Sequence, residues 1–178
     1  KPISVRPSDR ATFVPEENIV VGNVTLYGAT SGEAYVRGMA GERFAVKNSG
    51  AKVVIEGCGS NGCEYMTGGV AVILGRIGTN FGAGMTGGMA YVYDPQGLAE
   101  DYMNPESILT CAVSHPHWEA QLRGLIERHL AETGSQKAAA ILNDWDRERV
   151  NFIQVCPKEM LPHLAAPLTD EAEKVPAE

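Results

Sequence analysis

The stretch Ser49-Gly50-Ala51-Lys52-Val53-Val54-Ile55-Glu56-Gly57 decides the fold, because the chain repeats it. Its counterparts are Ser31-Gly32-Glu33-Ala34-Tyr35-Val36-Arg37-Gly38, Gly68-Gly69-Val70-Ala71-Val72-Ile73-Leu74-Gly75 and Gly87-Gly88-Met89-Ala90-Tyr91-Val92-Tyr93-Asp94. The glycines at 32, 50, 69 and 88 lie 18, 19 and 19 residues apart, and Asn48, Thr67 and Thr86 are 19 apart. Each phrase is β-branched or aromatic between glycines and too short for a helix, so it reads as a strand. The segments between phrases, such as Phe44-Ala45-Val46-Lys47-Asn48, read as short and extended as well. A unit of this size cannot bury its own apolar face, but stacked copies can, which predicts an all-β solenoid, a parallel β-helix.

Equivalent positions of a solenoid stack in columns. The spacing predicts one column of Val36, Val54, Ile73 and Val92, with Ala34, Ala71 and Ala90 two residues earlier. Lys52 interrupts the second column and leaves the inward face undecided. The opposite face carries Tyr35, Val53, Val72 and Tyr91, then Arg37, Ile55, Leu74 and Tyr93, and is too apolar to stand bare in water. Ile19 to Gly28 reads as an earlier, less regular coil.

After Asp94-Pro95 the pattern changes. Ser107 to Val113 reads as one more strand. Trp118, Leu122, Leu125, Ile126, His129 and Leu130 then share a helical face that starts after Pro116 and stops at Gly134. Ser135 is placed to cap a second helix carrying Ala138, Ile141, Leu142 and Trp145. Phe152 to Val155 reads as a short strand. The expected organisation is a lead-in linker over 1–21, the β-helix over 22–113, a small helical appendage with a short strand over 114–164, and a flexible tail over 165–178. The helical pair is the expected cover for the solenoid.

Composition narrows the function classes. Of 20 glycines in 178 residues, 18 fall between Gly22 and Gly97. Residues 1–21 carry three acids and three bases, 22–94 five of each, and 95–178 fourteen acids against seven bases, for a net charge of −7. No basic footprint for nucleic acid or anionic lipid results. No apolar run approaches the roughly 20 residues of a membrane span, and no secretory leader is visible. Four scattered cysteines make no disulfide framework, so a reducing, cytoplasmic setting is expected. The chain opens at Lys1, which predicts a piece of a longer polypeptide.

Constellations that could carry chemistry are few. Gly57-Cys58-Gly59-Ser60-Asn61-Gly62 and Gly82-Ala83-Gly84-Met85-Thr86-Gly87 match a dinucleotide fingerprint, which works only where a helix starts and presents its amides to a pyrophosphate. The first leads within one turn into another strand, and two matches are what chance supplies in a glycine-rich solenoid. Cys58 and Cys63 have metal-ligand spacing without a second pair or a nearby histidine, and Cys63 aligns with Phe44 and Gly82 as a core filler. Cys111 and Cys156 lie far along the chain. His115 and His117 flank a proline at a helix entrance, His129 falls on the apolar helix face as a buried imidazole, and His163 lies near the end. Asp144, Asp146 and Glu148 read as a solvated helix end. No catalytic, cofactor-binding or metal residue is expected.

The runs Gly41 to Ala51, Val54 to Gly57, Gly62-Cys63-Glu64-Tyr65-Met66-Thr67-Gly68-Gly69, and Asn80 to Val92 closely resemble the glycine-repeat (GXGXG) C-terminal domain of the glutamate synthase large (alpha) subunit. So do Leu125 to His129, Thr133-Gly134-Ser135, Ala140 to Leu142 and Trp145. The resemblance covers about residues 20 to 160, with Cys58-Gly59-Ser60-Asn61 and Lys47 as small departures. It implies a right-handed β-helix acting as a structural domain, packed among glutaminase, central and synthase domains of one polypeptide. That parent makes two L-glutamate from L-glutamine and 2-oxoglutarate. It uses FMN and an iron–sulfur cluster, with FAD and NADPH on a small beta subunit. None of the parent's catalytic or cofactor motifs maps onto this chain. Two other readings stay open: the glycine-repeat subunit of a formylmethanofuran dehydrogenase complex, and a free-standing β-helix acyltransferase. The tryptophan-bearing helical tail argues against the first. The absence of histidine from the repeats argues against the second.

Overall fold

The computed structural model describes residues 1–169. Nine strands form: β1 (Ile3–Val5), β2 (Ile19–Val21), β3 (Glu33–Val36), β4 (Met39–Ala40), β5 (Ser49–Ile55), β6 (Thr67–Ile73), β7 (Gly87–Tyr93), β8 (Ile108–Ala112) and β9 (Phe152–Pro157). Seven share one sheet in the order β1-β3-β5-β6-β7-β9-β8, and β2 pairs with β4 in a second. From β1 to β7 every pairing is parallel, so the body is the stacked solenoid the repeat predicts. Ile3 to Val5, in the stretch expected as lead-in, pair with Ala34 to Val36 and form the sheet's first edge.

The columns differ from the spacing of the glycines. Tyr35 pairs with Val54, Val54 with Val72, and Val72 with Tyr91, so successive rungs are 19, 18 and 19 residues apart. Val54 therefore lies opposite Val72 and not Ile73, and the inner column is Val36, Ile55, Ile73 and Val92. The cause is an irregularity early in β5, where the pairing slips between Ser49 and Lys52. Two residues, Gly50 and Ala51, there face the single Gly69, so a column drawn through the glycines is one residue out beyond them.

This correction also settles the faces. Val36, Val53, Ile55, Ala71, Ile73, Ala90 and Val92 point into the solenoid's own core, with Phe44, Met66, Phe81 and Met85 from the opposite wall. Lys52 points outward beside Glu33 and Val70, which explains why it interrupts no inner column.

The segments between strands are not extended. On that wall every second residue has left-handed backbone: Val24, Leu26 and Gly28; Arg43, Ala45 and Lys47; Asn61, Cys63 and Tyr65; Asn80, Gly82 and Gly84. These form three columns of their own, again 19, 18 and 19 apart. The middle column holds Ala45, Cys63 and Gly82, which corrects the alignment of Cys63 with Phe44. Left-handed backbone costs a non-glycine residue roughly 1–2 kcal/mol, and nine such residues adopt it. What offsets the cost is hydrogen bonding between coils. Ala45 N–H donates to Thr25 (3.0 Å), Cys63 to Phe44 (2.8 Å) and Gly82 to Gly62 (2.9 Å), while Arg43, Lys47, Asn61 and Tyr65 donate to the following coil. At the corners the coils approach so closely that side chains are excluded. A Cβ on Gly78 would lie 2.3 Å from the Ser60 backbone nitrogen.

The outer face of the sheet is covered from within the chain. Helix α1 (Pro116–Thr133) ends at Gly134 in left-handed conformation, and Ser135 caps α2 (Gln136–Asn143) through Ala138 N–H. A last short helix, α3 (Trp145–Glu148), leads into β9. Tyr35, Val54, Val72, Leu74 and Tyr91 pack against Trp118, Leu122, Ile126, Ile141 and Trp145 in a second core. Fully burying each large apolar side chain contributes about 1.5–3 kcal/mol. Strand β9 then inserts antiparallel between β7 and β8, ending the parallel stack. Within the tail expected to be flexible, Pro167 accepts a hydrogen bond from the Trp118 indole (2.9 Å), and Ala166 and Leu168 join the second core. The rest of that expectation, residues 170–178, lies outside the described residues.

Two substitutions separate strain from close approach. Arg43 is exposed and left-handed, so Arg43→Gly should raise stability by about 0.5–1 kcal/mol in a urea titration. Gly78→Ala forces a Cβ onto backbone and should cost about 2–3 kcal/mol or more. A destabilising Arg43→Gly together with a neutral or stabilising Gly78→Ala would contradict the register described.

Candidate functional site

The residues that could carry chemistry fall into one buried cluster, one groove and several isolated positions. The cluster joins the strand end after β5 to the α1–α2 junction. Glu56 Oε1 accepts a hydrogen bond from Ser135 Oγ (2.9 Å) and lies 3.2 Å from His129 Nε2. All three residues are buried. Serine, histidine and carboxylate are the parts of a nucleophilic triad, but their order is wrong for one. A triad needs histidine between serine and carboxylate, as the base that takes the hydroxyl proton. Here the carboxylate sits between the two, and Ser135 Oγ also accepts from Ala138 N–H at 3.0 Å as a helix cap. The cluster is a polar clasp between appendage and solenoid. Thr133 extends it by donating to the His129 carbonyl (2.7 Å).

None of this was visible as a site in the sequence. His129 and Ser135 were legible separately, as a face residue and a cap, but Glu56 is 73 and 79 residues away from them. The only available signal was a carboxylate at the end of an otherwise apolar strand phrase.

Three of the four cysteines are core residues. Cys58 and Cys63 lie in the solenoid interior and Cys156 in the outer core, all buried, while Cys111 is half-buried. Burial pushes the Cys58 thiol up to about 12 and Cys63 well above the ordinary range, Cys58 adding to the effect on Cys63. Burial likewise raises Cys111, and takes Cys156 to about 11 with Cys111 contributing. A reactive thiol needs the opposite shift. Among the described residues no group of three or more histidines, cysteines or carboxylates converges as a metal site. This donor set does not fit an iron–sulfur cluster, which needs several thiolates together.

The two glycine fingerprints do not fit a flavin or nucleotide phosphate either. Asn61, Cys63 and Tyr65 run on as left-handed rungs of the wall, and Gly82 and Gly84 do the same, with no helix beginning at either place. His115 is the N-cap of α1, its Nδ1 accepting from His117 N–H (3.1 Å), and His117 packs edge-on against Trp118. His163 is exposed, as are Asp144 and Asp146. Glu148 accepts from the Tyr93 hydroxyl and from Asn151 Nδ2 (3.2 Å), which ties α3 to β7. The structure thus brings Glu56, His129 and Ser135 into one cluster, and sets Cys58 near Cys63 and Cys111 near Cys156 as separate pairs of protonated thiols.

One large concavity remains. A groove of about 1190 Å³ crosses the solenoid's corner from Glu16 to Tyr102, over four successive coils. Its walls include Met39 to Glu42, Cys58 to Ser60, and Gly75 to Gly78. Lys137 reaches it from α2, its ammonium form disfavoured by burial although Glu56, Glu16 and Glu17 oppose that shift. Among the described residues no helix is long and apolar enough to cross a membrane.

Comparison with known proteins places these features. The family model of the GXGXG motif matches residues 2–158. The chain is 58% identical over 166 residues to the glutamate synthase [NADPH] large chain of Azospirillum brasilense, covering 93% of this chain and 11% of that protein. It is 52% identical over 155 residues to glutamate synthase [NADH] of Schizosaccharomyces pombe, covering 87% and 7%. Against a ferredoxin-dependent glutamate synthase of Arabidopsis thaliana it is 50% identical over 155 residues, covering 87% and 10%. The chain spans about a tenth of the length of the curated relatives it matches.

Two measurements check the site. Ser135→Ala removes a helix cap and a donor to a buried carboxylate, and should cost about 1–3 kcal/mol by urea unfolding. In the folded chain a thiol-specific reagent near pH 8 should modify Cys111 first and the other three cysteines only on unfolding. A thiol whose folded pKa is raised contributes stability that is intact below about pH 9. That contribution is lost as pH climbs towards 12, so alkaline destabilisation should fall in that window.

Proposed function

The chain belongs to the GXGXG motif family, and from that premise we propose that it is a non-catalytic structural domain of a glutamate synthase large chain. Such an enzyme makes two glutamates from glutamine and 2-oxoglutarate. The observation that carries the reading is the pairing of high identity over 93% of the chain with a fold whose chemically capable groups are sealed. Glu56, His129 and Ser135 are closed inside a clasp, and the buried thiols are held protonated.

In this reading the glutaminase and synthase chemistry, FMN and the iron–sulfur cluster belong to other parts of the same polypeptide. FAD and NADPH belong to a smaller beta subunit. Bacterial large chains named for NADPH, at 58% and 46% identity, favour that electron donor. The setting is cytoplasmic. The domain supplies geometry: a stiff body of stacked coils fixes the glutaminase relative to the synthase, so that ammonia passes between them without loss. Such positioning costs little in chemistry and preserves the effective concentration of a transferred intermediate.

The sheet's outer face is not the surface that meets those domains. Val72 and Tyr91, outward-facing in sequence terms, lie under α1, with the Tyr91 hydroxyl donating to Gln121 Oε1 at 2.8 Å. A charge at either would strip the appendage from the solenoid.

The reading is tested in the full-length enzyme carrying Gly78→Ala. Glutamine consumed per 2-oxoglutarate consumed should rise above the coupled value of about one, while glutaminase turnover persists. Fully coupled turnover with the solenoid destabilised would contradict a spacer role. The isolated chain should show no glutaminase turnover and no stoichiometric FMN binding, and either result would assign it a site of its own.

A further inference from the structure

The groove along the solenoid's corner is larger than packing between coils requires, and neither the clasp nor the appendage fills it. We propose that it is the docking site of an extended, net-basic peptide segment from the rest of the polypeptide. This rests on the reading of the chain as one domain of a larger enzyme.

Size and direction come first. The groove crosses four coils, and coils stack about 4.8 Å apart, so it is roughly 15–20 Å long. An extended segment rises about 3.3 Å per residue, so about five or six residues span it. A volume of about 1190 Å³ holds their side chains as well.

The walls then define how an occupant is read. Their backbone amides are already used between coils: Ala40 N–H donates to Gly57 (2.9 Å), Cys58 to Arg76 (3.0 Å) and Gly59 to Gly41 (3.0 Å). A segment that added itself as a strand would find no free edge here. Recognition must come from side chains.

Those side chains carry one predominant charge. Glu16, Glu17, Glu42, Glu56 and Asp94 line the groove against Arg76 and Lys137, five carboxylates to two cations. Asp94 is engaged by the Leu98 and Ala99 amides (both 3.0 Å) and Glu56 Oε1 by the clasp, which leaves Glu16, Glu17 and Glu42 for a partner. Glu56 adds an independent observation. Its Oε1 takes both clasp contacts, and its Oε2 is buried with no hydrogen-bond partner among the described residues. Buried polar atoms left in that state are costly, and a cation seated in the groove lowers the cost.

Apolar surface marks both ends. Ile19 is 63% exposed at one, and Leu98 and Tyr102 are 52% and 42% exposed at the other. An occupant with lysine or arginine in its middle and apolar residues at its ends matches this layout. A small cation would leave the ends bare.

The test is carboxyl footprinting of the full-length enzyme with carbodiimide and glycine ethyl ester. Glu16, Glu17 and Glu42 should be labelled at least tenfold more slowly than the exposed Glu159 and Asp146. An Ile19→Asp/Leu98→Asp variant should bring them to the rate of those two. With the ester omitted, the same carboxylates should cross-link to a lysine outside residues 1–178. Equal labelling of groove and reference carboxylates in the active wild-type enzyme would overturn the proposal and leave the domain reading standing. Protection that vanishes on dialysis, or cross-links confined to Lys137, would overturn it too. The domain reading fails separately, if the full-length polypeptide forms no glutamate.

Discussion

The close approach of one coil to the next is the constraint on which the rest of the structure depends. Coils stack through backbone on both walls, by a parallel ladder on one and by left-handed rungs on the other. At Gly78 the separation is too small for a Cβ. On the second wall, residues as unsuited to positive φ as Val24 and Tyr65 adopt it. Interstrand hydrogen bonding and interior packing outweigh a strain of roughly 1–2 kcal/mol per residue. Local preference loses to the stack.

Stacking also creates the need for the appendage. A flat parallel sheet carrying Tyr35, Val54, Val72 and Tyr91 outward is an apolar surface that water does not tolerate, and two amphipathic helices from the chain's own acidic part cover it. A polar cluster buried beneath them, Glu56 with Ser135 and His129, fixes where the α1–α2 junction sits on the solenoid. Arg128 repeats the arrangement at the rim, where it meets Glu33 at 2.9 Å. Polar residues in this molecule therefore set register between elements. The same placement that makes them good clasps encloses them beneath the appendage, with Glu56 Oε2 and His129 Nδ1 left without a hydrogen-bond partner among the described residues.

Much of this was legible from the sequence, and the reasons for the failures are specific. Glycine spacing revealed the coils because close approach at corners leaves a mark on composition. It misplaced Val54 by one residue because a two-for-one irregularity at Gly50 and Ala51 shifts the pairing without altering the phrase. The run Phe44 to Asn48 looked extended because Phe44 and Val46 there alternate with smaller or polar residues, a period of two. An alternation of backbone hand has that same period, and Gly28, Gly82 and Gly84 are the glycines that hint at it. Helix boundaries at Pro116, Gly134 and Ser135 followed from local chemistry and hold. The insertion of β9 between β7 and β8 did not, because nothing local distinguishes a strand that extends a stack from one that interrupts it. Glu56 and the groove depend on contacts between distant segments, which no local pattern records.

The claim that the left-handed rungs hold the stack together is tested most directly by residue-resolved amide hydrogen exchange. By appearance the wall from Arg43 to Lys47 and from Asn61 to Tyr65 is loop, and loop amides exchange quickly. If these rungs bind coil to coil, the amides of Ala45, Cys63 and Gly82 exchange only on global unfolding, at rates matching the interior β6 amides such as Val72. Exchange at these three positions orders of magnitude faster than in β6 would contradict the account, and would leave the sheet alone to hold the coils.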